Sequence, residues 1–304
     1  MNLITIADGL SFPEGPVALP DGSVALVEIE RQTVSRVHPN GTVDVIARTG
    51  GGPNGMAIGP DGAYYVCNNG GFAFRHEEGF LRPVLQSSDY SGGRIERVDP
   101  RTGEISRLYD RCGDYQLRGP NDIVFDTVGG FYFSDLGKSR ARDRDHGGLY
   151  YARTDGSSIT QVAYPILTPN GVGLSPDGKT VYVAETETAR LWAFEMDSPG
   201  VARKQPFPSP HGGRLVIGLG GFQRFDSLAL DAAGNICVAT LVTGCISVIS
   251  PDGRLLRQVP AGDPMTTNIC FGGPELRTAY VTLSGTGRLV AFDWPDPGLK
   301  LAYG

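Results

Sequence analysis

The chain has 304 residues, 40% of them apolar, with 43 Gly, 22 Pro and a net charge of −6. This is enough apolar material for a large core and excludes a disordered chain, and the absence of any basic run or stripe excludes a nucleic-acid partner. No apolar run approaches the ~20 residues of a membrane span, the start of the chain lacks a secretory pattern, and the five Cys are odd in number with no CxxC pair; a cytoplasmic protein with no membrane partner, disulfide framework or Cys-rich zinc centre is expected.

Taken in order, the chain opens on a short strand, Leu3-Ile4-Thr5-Ile6, and then reads Ser11-Phe12-Pro13-Glu14-Gly15-Pro16. A short apolar strand follows (Val17-Ala18-Leu19), then the turn Pro20-Asp21-Gly22 and a second strand over 23–28. Pro fixes φ, Asp bonds the local backbone and Gly takes positive φ, so the tripeptide specifies a turn. The turn recurs as Pro60-Asp61-Gly62, the looser Asp126-Thr127-Val128-Gly129-Gly130, Pro176-Asp177-Gly178, Asp231-Ala232-Ala233-Gly234 and Gly272-Gly273-Pro274. After each comes a β-rich run such as Tyr64-Tyr65-Val66, Phe131-Tyr132-Phe133 or Val181-Tyr182-Val183. A third strand then leads to a second turn series, among them Pro39-Asn40-Gly41, Thr154-Asp155-Gly156 and Pro251-Asp252-Gly253, and in most units a fourth strand follows, as at 42–46, 104–109 and 255–259.

Six units in one phase, a last unit without a clear fourth strand and a spare strand at the start predict a six-bladed β-propeller with four-stranded blades. The N-terminal strand closes the ring and removes the open sheet edge. No linker breaks the pattern, so residues 1–304 are read as a single domain. Two longer insertions, 70–92 and 138–147, interrupt it; the second carries Arg140, Arg142, Asp143, Arg144 and Asp145 and reads as a solvated loop or a lid.

In a propeller the innermost strand of each blade lines a central channel. The slot at the head of that strand holds Glu14, Asn54, Asn121, Asn170, Asp226 and Asn268. Turn chemistry alone accounts for any one of them, but not for six in register, and it does not call for Glu. A long carboxylate aimed into a crowded channel needs a partner. Two carboxylates with several amide oxygens, and no Cys or His, form a hard-oxygen donor set. It suits one divalent cation, Ca²⁺ first, with Mg²⁺, Mn²⁺ or Zn²⁺ behind it.

These residues carry a resemblance. Phe12-Pro13-Glu14-Gly15-Pro16, the Pro-Asn-Asp/Gly triplets at Asn121 and Asn170, Asp226 ahead of Leu228-Ala229-Leu230-Asp231, and Thr266-Thr267-Asn268-Ile269-Cys270-Phe271-Gly272-Gly273 resemble the gluconolactonase family that includes senescence marker protein (regucalcin), over nearly the whole chain. The resemblance implies a six-bladed propeller with one divalent cation that hydrolyses a sugar lactone. Carried over residue by residue, it implies Glu14, Asn170 and Asp226 as metal ligands, Asn121 as ligand or substrate contact, and Asn54 and Asn268 in the pocket. It further implies that the cation polarises the lactone carbonyl while water attacks, with either Asp226 as general base or a cation-bound water as nucleophile. There is no G-x-S-x-G elbow for a serine-hydrolase route.

Around this ring, His76 beside Arg75 in the first insertion, and Arg118, Tyr115 and Asp122 near Asn121, are candidates for contact with a polyhydroxylated substrate. His38, His146 and His211 fall in turns or loops. The expected function is hydrolysis of an aldonolactone, a small-molecule substrate. The alternatives are phosphotriester or fluorophosphate hydrolysis at the same metal, or a binding propeller with a structural cation.

Overall fold

The second strand of each unit is apolar at nearly every position because both of its faces are buried. In the computed structural model, which describes residues 2–304, Tyr64 and Val66 of strand Tyr64–Asn68 pack with Val17, Ala25 and Val27 of the sheet before it, and Tyr65 and Cys67 pack with Ile123, Phe131 and Phe133 of the sheet after it. Alternation of side chains along a strand produces this division. It recurs at every junction, and Val24 and Leu26 meet Tyr280 and Leu289 where the last sheet meets the first. No sheet can bury its own apolar faces, so the ring forms as a whole: a six-bladed β-propeller.

The blades, each written from its innermost strand outward, follow chain order. Blade 1 is Pro13–Ala18, Val24–Glu28, Thr33–Val37 and Val43–Arg48; blade 2 is Pro53–Ile58, Tyr64–Asn68, Arg94–Val98 and Ile105–Tyr109. Blade 3 is Pro120–Phe125, Gly130–Asp135, Gly147–Arg153 and Ile159–Ile166; blade 5 is Arg224–Leu230, Ile236–Leu241, Cys245–Ile249 and Leu255–Pro260. Blade 6 is Thr266–Gly272, Thr278–Leu283 and Arg288–Asp293, completed on its outer edge by Ile4–Ala7, with Ile4 opposite Ala291 and Thr5 opposite Val290. The spare strand thus closes the ring as the repeat predicted.

Blade 4 begins with Pro169–Leu174 and Thr180–Glu185 and then departs from the pattern. Its third strand, Arg190–Ser198, is long enough for two short partners: Val201–Arg203 pairs with its far end, and Arg214–Gly218 with Arg190 to Ala193. The first insertion folds as a hairpin, Phe72–Glu77 with Phe80–Gln86, and a second small hairpin, Arg111–Cys112 with Tyr115–Gln116, was not foreseen. Beyond Trp294 the chain crosses one mouth of the channel, where Leu299 N–H donates to Leu230 O (2.9 Å) and Tyr303 meets Phe125 edge-on at 5.7 Å. Among the described residues no helix is long and apolar enough to cross a membrane.

Candidate active site

Each innermost strand loses register with its neighbour at the same place. The breaks lie between Glu14 and Val17, Pro53 and Met56, Pro120 and Ile123, Pro169 and Val172, Phe225 and Leu228, and Thr266 and Asn268. A bulge re-aims side chains out of the regular pleat, and here it falls on the polar residue of a blade or directly beside it. Glycine next to that residue lets neighbouring strands close in. A Cβ at Gly55 would lie 2.4 Å from Asn121 O, and one at Gly171 2.7 Å from Asp226 O.

In blades 1 to 4 the segment leading into the bulge is tied down by a polar group at the end of the second strand. Glu28 accepts Ser11 N–H (2.8 Å), Asn68 Oδ1 accepts Gly52 N–H (2.9 Å), and Glu185 accepts Leu167 N–H (3.2 Å). Asp135 accepts the N–H groups of Arg118 and Gly119, each at 2.7 Å. In blade 6 Asp263 takes the role from another position and accepts Met265 N–H (2.7 Å). These buried acceptors fix the chain immediately ahead of Glu14, Asn54, Asn121, Asn170 and Asn268.

At one mouth of the channel, Glu14, Asn54, Asn121, Asn170 and Asp226 line a cavity of about 190 Å³. Glu14 is 2% exposed and Asp226 8%. Glu14 Oε2 accepts bonds from Asn268 Nδ2 and Gly15 N–H, both 2.8 Å. Asn170 Nδ2 donates to Thr186 Oγ1 (3.1 Å), and Ser227 Oγ donates to Asn170 Oδ1 (3.4 Å). Asn121 Oδ1 is buried without any hydrogen-bond donor. Burial pushes the Glu14 carboxyl up to about 7, against the bonds from Asn268 and Gly15. Burial, then the nearby charge of Glu14, pushes Asp226 well above the ordinary carboxylate range. Asp122 is pushed up to about 8 by the same burial, with Glu14 adding to it.

The other predicted residues lie elsewhere. Asn268 sits behind Glu14 and, with Asp122, lines a larger cavity of about 760 Å³ at the opposite mouth. His76 is exposed on the hairpin, and Arg118 pairs with Asp145 (3.3 Å); neither lines the smaller cavity. No histidine lines it: His38 pairs with Asp44, His146 meets Tyr164, and His211 packs on Trp192 in blade 4. Sequence reasoning missed the cavity's roof and rim. Phe72, Pro83, Val84 and Leu85 of the hairpin cover it, and Arg144, Glu187 and Arg224 stand at its edge. The register of the hairpin could have flagged the first group; nothing local in the sequence joins the second.

Among the described residues no three His, Cys, Asp or Glu side chains gather as a metal cluster. Any cation at this mouth therefore rests on two carboxylates and amide oxygens. The site fits one: two buried carboxylates that resist ionisation together and an orphaned amide oxygen converge on the same cavity. A positive charge between them relieves both costs.

Residues 12–285 match the model of the SMP-30/Gluconolactonase/LRE-like region family. The chain is similar to a gluconolactonase of Zymomonas mobilis, 26% identical over 313 residues that cover 92% of this chain and 78% of that protein. It is also similar to a 6-deoxy-6-sulfogluconolactonase of Pseudomonas putida, 29% identical over 256 residues, 72% of this chain and 86% of that protein. Among solved structures, a gluconolactonase from Xanthomonas campestris superposes with a TM-score of 0.75 at 22% identity, covering 96% of this chain and 89% of its own. A regucalcin from Agrobacterium tumefaciens, described as a calcium-binding protein, superposes with a TM-score of 0.72 at 19% identity, covering 96% and 95%. Likeness at these identities establishes the shared propeller.

Proposed function

The chain belongs to the SMP-30/gluconolactonase/LRE-like family and is a lactonase, and on that footing we propose that it opens an aldonolactone to the free acid with a divalent cation held by Glu14, Asn121, Asn170 and Asp226. The observation that carries the proposal is the convergence of two buried carboxylates and an unpartnered amide oxygen on one small cavity. All the donors are hard oxygens, which suits Ca²⁺ best.

When bound, the cation supplies Lewis-acid polarisation of the lactone carbonyl. The protein supplies the rest. Glu14 is locked through Oε2 by Asn268 and Gly15, so it serves as a fixed negative anchor and moves no proton. Asp226, open to the same cavity, takes the proton from the attacking water as general base. Asn54 and Asn121 orient the substrate's hydroxyls and ring oxygen through their amides. Phe72, Pro83, Val84 and Leu85 cover the cavity and exclude bulk water. At about 190 Å³ the space is well below that of a drug-sized pocket and suits one sugar ring. All five cysteines are free, in keeping with the reducing cytoplasm.

The test follows acid release from a panel of aldonolactones. Wild type exceeds spontaneous hydrolysis on at least one, and Asp226→Asn loses roughly 10²-fold or more while its β-sheet circular dichroism stays intact. An Asp226→Asn enzyme at the wild-type rate, or a wild type no faster than the spontaneous reaction on every lactone, overturns the proposal.

A further inference from the structure

The edge of the cavity carries charge of the opposite sign to its floor. Arg144 comes from the second insertion, Glu187 from the turn between the second and third strands of blade 4, and Arg224 from the head of the inner strand of blade 5. Glu187 holds both guanidinium groups, with Arg144 Nη2 at 3.0 Å from Oε1 and Arg224 Nη2 at 3.2 Å from Oε2. Arg144 Nε also donates to Ser139 Oγ (2.9 Å). One carboxylate thus serves two guanidiniums, which leaves an excess positive charge and most of their N–H donors unspent. The side chains are 34% and 40% exposed, so the groups are reachable. All three line the cavity that Glu14 and Asp226 line.

The rim is also wired to the floor. Glu187 N–H donates to Thr168 Oγ1 (3.1 Å), and its neighbour Thr186 accepts the Asn170 amide (3.1 Å). A molecule seated with its carbonyl at the floor therefore presents its far end to guanidinium donors held in place by Glu187. Guanidinium forks match oxyanions through paired, charge-assisted hydrogen bonds.

From this we infer that Arg144 and Arg224 form an anion subsite, and that the preferred substrate is a lactone carrying an anionic group (carboxylate, sulfonate or phosphate) at the end remote from the ester. The inference rests on the lactonase reading above. Glu187 holds the pair in position and competes with the substrate's anion for it.

The experiment compares kcat/KM for matched sugar lactones that carry a hydroxyl, a carboxylate, a sulfonate or a phosphate at the remote carbon. The readout is the ratio of each anionic lactone to the neutral one. In wild type the ratio is about tenfold or more for at least one anion, and it falls as salt is raised because the groups are partly exposed. Arg144→Gln and Arg224→Gln each lower the ratio, mainly through KM, and Arg224→Lys restores part of it. Glu187→Gln raises the ratio, a change of sign that a merely structural ion cluster does not produce. A wild-type ratio of one or below for all three anions, or a ratio unmoved by both glutamine variants, overturns the inference and leaves the lactonase reading standing. Failure to hydrolyse any lactone is the separate failure of that reading.

Discussion

Glu14 and Asp226 owe their chemistry to one residue-level device, a bulge at the head of the inner strand with a small neighbour that lets the next blade approach. Gly55 shows how tight the arrangement is. The nearest atoms to an added Cβ are Asn121 O at 2.4 Å and Asp122 Cα at 2.6 Å, both backbone, so nothing flexible can give way. Gly55→Ala is expected to cost about 1–3 kcal/mol of stability by overpacking, read as a lowered midpoint in urea, and to reduce lactone hydrolysis because Asn54 and Asn121 are displaced together. An unchanged midpoint would show that the inner strands have slack. The polar residues themselves were legible in the sequence from their repeated slot. The bulges were not, since a register shift leaves no mark in composition. The acceptors at Glu28, Asn68, Asp135 and Glu185 were legible in principle, because they close the second strand of four units in the same phase.

Among the elements, the two insertions matter most, and Lys138 joins them. Its Nζ is fully buried, donates to Asn69 Oδ1 (2.8 Å) and Gly71 O (3.0 Å), and lies 3.7 Å over the Phe72 ring that roofs the cavity. Burial lowers its pKa from the ordinary 10.5 to about 7, with Asp135 and Asp145 partly opposing. The folded protein therefore releases this proton at a lower pH than the unfolded chain does. Between about pH 7 and 10.5 the unfolded state binds more protons, so this group's contribution to stability rises with pH across that window. Lys138→Met lacks that component. The stability of wild type relative to the variant is expected to grow between pH 7 and about pH 9.5 in paired urea titrations; a pH-independent difference would contradict the account. The sequence marked both insertions but not their folds. His76 looked like a pocket residue because it lies in the first insertion; that insertion does cover the mouth, yet Phe72, Pro83, Val84 and Leu85 line the cavity and His76 is exposed. Arg144, Glu187 and Arg224 lie on three separate elements, and only the closed ring brings them together.

For the whole molecule, the sequence was most informative where the physics is repetitive. Six apolar second strands, each buried on both faces, demand six interfaces, and the spare strand at the start demands a partner at the end. The ring exists to bring six polar slots from distant parts of the chain to one axis, where carboxylates that resist ionisation face an oxygen without a donor. The proposed reading of that arrangement is a cation-dependent lactonase centre, and one titration tests it. The purified protein is stripped with chelator, dialysed, and assayed for acid release from its best lactone as Ca²⁺, Mg²⁺, Mn²⁺ or Zn²⁺ is added back. Stripped protein is expected to fall to the spontaneous rate, one cation to restore activity with saturation at one equivalent per chain, and Glu14→Gln to shift the midpoint to higher cation concentration. Full activity in the stripped protein, unchanged by any added cation, would contradict that reading.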